Sequence, residues 1–194
     1  MEKIKNFFNK WYRRFKIFVF LFSTWAVIFS VNNIMNNSVA IEYDDGLIYS
    51  GDVFREIEKE KVKITDESYW EKINVNYKLE RIKPIPFVIT YFLKIIGIKI
   101  DIIADRGNDG GDYIRRKWQN FSRNLYFVKE QEEKYNILKK NGYLLFFASS
   151  DEGIVQAKKS GIYPVRIKRN SKSVSTLSYT PGRYKEKIIP LSEF

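Results

Sequence analysis

The 194 residues include neither a cysteine nor a histidine. Disulfides, thiol nucleophiles, zinc sites built on those ligands and every triad that passes a proton through imidazole are thereby excluded. Any chemistry must rest on carboxylates, lysine, hydroxyls or a hard metal ion such as magnesium. Acidic residues are also in deficit, 23 against 34 Lys and Arg, for a formal charge of +11. Such a balance invites nucleic acid or an anionic membrane as a partner. Residues 1–40 hold six of the cations and one Glu, so +5 belongs to that segment and +6 to the remaining 154 residues. What is abundant is apolar: 44% hydrophobic and 16% aromatic residues supply a packed core and argue against global disorder.

The first basic cluster, Lys3 to Lys16, runs straight into the charge-free stretch Ile17–Val31. As a helix this stretch is roughly 22 Å long, short of a hydrocarbon core of roughly 30 Å. Asn32 to Met35 and a snorkelling Lys16 bring it to a marginal span. Cations before an apolar run place the N-terminus in the cytoplasm and the rest across the membrane. An uncleaved anchor is expected, with the body in the periplasm or outside the cell. A cleaved secretory signal is the alternative, since Ser38-Val-Ala40 fits a small-x-small site. Two regions follow: residues 1–37, a basic tail, anchor or signal, and short linker; and residues 38–194, the folded body.

The body alternates short apolar runs with helical stretches. Val39–Ile41, Lys99–Ala104, Leu125–Val128, Tyr143–Phe147 and Ile162–Ile167 read as strands. Asp52–Lys63, with Asp52 as N-cap, Asp66–Asn74, Ile85–Ile96, Tyr113–Phe121, Glu130–Asn141 and Ile154–Lys159 read as helices. That alternation predicts a three-layer α/β sandwich with a central parallel, Rossmann-like sheet. Three strands end in polar turns, at residues 42–46, 104–111 and 148–153, and in this architecture such turns converge on one crevice. The first turn carries Glu42, Asp44 and Asp45. Alternation puts Glu42 and Asp44 on one side of the strand end and Tyr43 on the other. Two like charges so close raise one pKa unless a cation or donors compensate.

These turns resemble the motifs of the class B (non-specific) acid phosphatases of the haloacid dehalogenase-like (HAD) superfamily. The residues concerned are Asp44-Asp-Gly-Leu-Ile-Tyr-Ser50, Tyr69-Trp-Glu-Lys-Ile-Asn74, Gly161–Ser171 and the closing Ile188–Phe194. The resemblance implies an extracytoplasmic, magnesium-dependent phosphomonoesterase that works through an aspartyl intermediate. It carries over only in part. Glu42 stands where the family has its nucleophilic Asp, while Asp44 keeps the position of the general acid and base. Ala104 replaces the phosphate-binding hydroxyl, Arg106 still matches, and Lys134 has the spacing of the lysine that neutralises the phosphoryl group. Ser149 takes the place of the metal-binding Asp, and Gly153 that of the closing Asp.

The resemblance thus implies Glu42, Asp44 and Lys134 as catalytic candidates, Arg106 and Lys134 as phosphate contacts, and Glu42, Asp44 and Asp151 as weak magnesium ligands. Each has a plainer reading: an acidic loop after a core strand, a solvated lysine on a charged helix, an arginine paired with Asp105, Asp109 or Asp112, and acids at a helix N-terminus. Glutamate carries its carboxylate one methylene farther out, which in-line phosphoryl transfer tolerates poorly. The expected function is therefore a membrane-tethered, catalytically degenerate acid-phosphatase-like domain that binds a partner protein or a phosphorylated ligand. A low-activity magnesium-dependent phosphatase is the alternative. Partners expected are the membrane, an unidentified protein or phosphorylated ligand, and a second copy of the chain. Nucleic acid is not expected, because the basic cluster Arg115–Lys117 reads best as a solvated helix face.

Overall fold

A computed structural model describes residues 11–12, 14–25, 27, 37–60 and 68–194. The chain divides into two units, residues 1–36 and 37–194. In the first, the described positions 11–27 are helical, with Phe18, Phe20, Leu21 and Phe22 exposed. Among the described residues no helix is long and apolar enough to cross a membrane. The end of the expected span and most of the linker, residues 28–36, lie outside the described set, as do residues 1–10 and 61–67.

The second unit is built on a six-stranded sheet in the order β5-β4-β1-β6-β7-β8, parallel throughout. The strands are β1 Ser38–Glu42, β4 Lys99–Ala104, β5 Asn124–Phe127, β6 Leu145–Ala148, β7 Tyr163–Arg166 and β8 Lys187–Ile188. A two-stranded antiparallel piece, β2 Ile48–Tyr49 with β3 Arg81–Ile82, stands beside it. The helices are α1 Gly51–Lys59, α2 Tyr69–Val75, α3 Pro84–Ile95, α4 Gly111–Trp118, α5 Gln131–Asn141 and α6 Asp151–Lys159. A 3-10 turn spans Tyr77–Leu79.

Strand alternation distributes β1 between two cores. Val39, Ile41 and Tyr43 pack in one cluster with Ile102, Ile114 and Trp118, and Ala40 packs in the other with Phe146, Leu138 and Ile154. Burial on both faces explains why these strands read as unbroken apolar runs. At one edge of the Tyr43 core, Trp118 meets Tyr43 edge-on at 6.1 Å between ring centroids. The parallel sheet expected from the alternation is present. Its sixth strand is an addition that two residues could not announce.

Helix boundaries shift for local reasons. Asp52 is not the N-cap of α1: the helix starts at Gly51, and Asp52 lies in its first turn, paired with Arg55 at 2.6 Å. Helix α6 begins earlier than Ile154, because Ser150 caps it by accepting from the Gly153 N–H at 3.0 Å. Gly142 closes α5 at φ 59°, a left-handed conformation that needs no Cβ.

The tail returns to the sheet through a buried ion cluster. Arg166, fully buried at the end of β7, donates to Asp151 at 2.7 Å and to Glu186 at 2.9 Å. Removing the cation would strand two buried carboxylates. Arg166→Met is expected to lower unfolding free energy by about 3–5 kcal/mol in urea denaturation; a loss below about 1 kcal/mol would mean the tail is held by other means.

Candidate active site

The C-terminal ends of β4, β1 and β6, neighbours in the sheet, bring the three polar turns together. Glu42 is the last residue of β1 and is 1% exposed. Its carboxylate accepts from the Ser149 N–H at 2.6 Å, the Ser149 hydroxyl at 2.8 Å, the Ser150 N–H at 3.1 Å and the Ser150 hydroxyl at 2.8 Å. The Lys134 ammonium adds a fifth donor at 2.9 Å. Burial pushes this carboxyl up, but Lys134 and the serine donors outweigh it and hold Glu42 below the ordinary range. The two N–H groups lie immediately before α6, whose N-terminal end also favours an anion.

Lys134 reaches this point because a capping box formed by Glu130 and Glu133 fixes the start of α5 at Gln131, three residues before it. It is fully buried, not solvated, and its ammonium also meets Asp105 at 2.8 Å. Burial disfavours its charge, yet Asp105 and Glu42 together raise its pKa. Asp105 is the less compensated partner. Burial, with Glu42 close by, pushes its carboxyl from 3.8 up to about 6 despite Lys134.

Arg106 turns inward from the 104–111 loop. Its guanidinium is fully buried, pairs with Asp44 at 2.5 Å and Glu80 at 2.8 Å, and lies over the rings of Tyr43 and Phe54. Asn74 pins the same loop by donating to the carbonyls of Gly107 and Asp109 at 2.9 and 2.7 Å. The salt bridge weighed for Arg106 is thus formed, though with Asp44 and Glu80. Asp151 faces Arg166 and accepts from the Thr180 N–H at 3.0 Å.

The structure therefore gathers Glu42, Asp44 and Lys134 at one edge with Arg106 behind them, and leaves Asp151 in a separate cluster. Each carboxylate named as a magnesium ligand is already held by a cation: Glu42 by Lys134, Asp44 by Arg106 and Asp151 by Arg166. Among the described residues no three carboxylates converge to hold a metal ion. The donor set as arranged does not fit a divalent cation, since each ligand would first have to leave its partner.

Two residues shape the site in ways that the sequence did not announce. Gly153 leaves room for Glu42, since a Cβ there would lie 2.1 Å from Glu42 Oε1. Asp45, in a left-handed turn at φ 55°, is 3% exposed and borders a cavity of about 530 Å³. This cavity opens above Asp44, Asp105 and Ser149 and has Phe54, Tyr69 and Trp70 along one wall.

No protein-family model and no curated protein matches the sequence. Solved structures resemble its fold. CbbY from Rhodobacter sphaeroides, in complex with phosphate, aligns with a TM-score of 0.56 at 10% identity over 81% of this chain and 95% of that one. A protein of Bacteroides fragilis described as a haloacid dehalogenase-like hydrolase aligns at 0.53 and 14% identity over 79% and 97%. The chain has the haloacid dehalogenase-like fold. A dehalogenase aligns similarly, at 0.52 and 13% identity over 81% and 94%. At such identities the likeness concerns the fold.

Two outcomes follow from the geometry. Gly153→Ala forces a methyl into Glu42 and is expected to cost about 1–3 kcal/mol. The added substitution Glu42→Asp withdraws the carboxylate and should return at least about 0.5 kcal/mol of that in a double-mutant cycle of unfolding; strictly additive losses would show that the two residues do not compete for space. The second outcome concerns pH. A carboxyl whose native pKa is raised ionises first in the unfolded chain, so Asp105 favours unfolding increasingly from about pH 4 to about pH 6 and by a constant amount above. The stability of Asp105→Asn relative to the unsubstituted protein should rise with pH across that window in urea titrations; a flat difference would remove the argument.

Proposed function

We propose that this chain is a HAD-fold domain whose phosphoryl-transfer centre has been converted into an internally neutralised structural cluster, and that it acts by binding rather than by hydrolysis. The observation that carries this is the Glu42 carboxylate, which is 1% exposed and engaged by five donors. A nucleophile must present a free lone pair in line with the scissile bond. Glu42 has its lone pairs occupied and its approach closed. The cations that would meet a phosphoryl group, Lys134 and Arg106, are fully buried and matched by carboxylates. An incoming dianion would have to displace those partners and lose its hydration.

The motif resemblance at Asp44–Ser50, Tyr69–Asn74 and Gly161–Ser171 supports descent from the class B acid phosphatases. The basic flank and apolar run of the N-terminal segment support a membrane tether with the folded unit outside the cytoplasm. A second reading rests on Asp44. Its side chain is 15% exposed and borders the cavity, where it could serve a slow magnesium-assisted phosphomonoesterase once Arg106 let go.

The test is hydrolysis of para-nitrophenyl phosphate by the full chain, with magnesium and with chelator, beside Asp44→Asn, each checked for folding by circular dichroism. The expected result is no release above that of the folded variant. Metal-dependent turnover abolished by Asp44→Asn would replace the binding reading with the slow phosphatase.

A further inference from the structure

The cavity above the neutralised centre differs in sign from the chain as a whole. Against a formal charge of +11, its lining among the described residues holds four carboxylates, Asp44, Asp45, Glu58 and Asp105, and one cation, Lys129. Lys129 is itself within 3.9 Å of Asp109. The other cations described nearby lie behind the carboxylates: Arg106 and Lys134 are fully buried, and Lys83 spends its ammonium on the carbonyls of Asp45 and Lys168 at 2.7 and 2.6 Å. Arg169 donates to the carbonyls of Ser149 and Leu177. A ligand entering the cavity therefore meets acid oxygens first.

A separate observation gives the ligand its polarity. Asp45 is 97% buried and its Oδ2 accepts from the Ser173 hydroxyl, but among the described residues no donor reaches Oδ1. A buried carboxylate oxygen without a donor is costly, and a ligand that supplies one recovers that cost. Gln131, whose amide can turn either way, offers another buried oxygen without a donor on the same lining. The walls supply the rest. Tyr69 and Trp70 meet edge-on at 5.0 Å between centroids, and Phe54 stands beside them. Trp70 is held against the Gly107 backbone, where a Cβ would come within 2.4 Å of its ring. Aromatic faces beside carboxylates attract organic cations, and about 530 Å³ suits a small one.

We infer that this cavity binds an organic ammonium ion carried on an apolar or aromatic stem, the stem lying on Phe54, Tyr69 and Trp70 and the ammonium meeting Asp45. The inference rests on the proposed function, in that a centre still accepting phosphate would require the opposite charge here. It names the ligand class that the binding reading leaves open. A bare divalent cation fits less well, because no three carboxylates converge among the described residues and the aromatic wall would have no use.

The full chain is titrated calorimetrically with 2-phenylethylammonium, and with 2-phenylethanol and phenyl phosphate as neutral and anionic compounds of similar size. The ammonium is expected to bind at least about tenfold more tightly than the alcohol, and phenyl phosphate more weakly still. Glu58→Gln, on the exposed rim, should weaken the ammonium severalfold without changing the melting temperature, and Asp45→Asn should weaken it more. The inference falls if alcohol and ammonium bind alike, if phenyl phosphate binds most tightly, if magnesium displaces the amine, or if none of the three binds. Failure to bind without hydrolysis of phenyl phosphate leaves the neutralised-centre reading standing. Hydrolysis of phenyl phosphate overturns that reading itself.

Discussion

The Glu42–Lys134 pair is the interaction on which the C-terminal edge of the sheet depends. Two opposite charges, both essentially without solvent, sit where three strands end. Charges removed from water are tolerated only when their hydrogen-bonding capacity is met. That requirement dictates the neighbourhood. It places Ser149 and Ser150 at the start of α6 as donors, draws Lys134 inward from the first turn of α5, and excludes a side chain at Gly153. Burial raises the pKa of Asp105, whose share of an ammonium that Glu42 already uses does not offset it, while the donors around Glu42 lower that of Glu42.

The same solution recurs along the edge. Arg106 is matched by Asp44 and Glu80, and Arg166 by Asp151 and Glu186. Three buried cations, each with two carboxylates, lock the first turn to its neighbours, the 104–111 loop to the 3-10 segment, and the tail to the sheet. Buried ion pairs are weak contributors to net stability compared with apolar packing. What such clusters fix strongly is geometry, because leaving any member unpaired is expensive. A site held this way is rigid at its base and variable only at its exposed rim, around Glu58, Lys129 and the 174–177 segment.

Most of the fold was legible because the central strands are buried on both faces and so read as apolar runs ending in polar turns. Glu42, Asp44 and Lys134 were legible as a group through strand alternation and motif spacing. Where each side chain points was not. Arg106 beside Gly107 reads as an anion contact until Tyr43, Phe54 and Glu80, contributed by three other segments, draw it inward. Asp151 looks like a plain helix acid until Arg166 arrives from the next strand. Strand β8 and the role of Asp45 depend on the tail folding back through Glu186 and Ser173, contacts far apart in sequence that no local pattern encodes.

Under the proposed reading, the differences from the phosphatase motifs at 42, 149 and 153 form one compensated set rather than separate changes. A longer carboxylate at 42 needs the space that a side chain at 153 would take, as the 2.1 Å approach of a Cβ there demonstrates. It also needs donors at 149, where a second carboxylate would instead face it at hydrogen-bond distance and raise one of the two pKa values. With both positions changed, the lysine at 134 has a full partner in Glu42 and a partial one in Asp105, so no outside cation is required to balance the charge. Restoring any one of these positions alone would therefore introduce a clash, a repulsion or an unpaired charge. The arrangement is a local optimum of its own, in which each position supports the others.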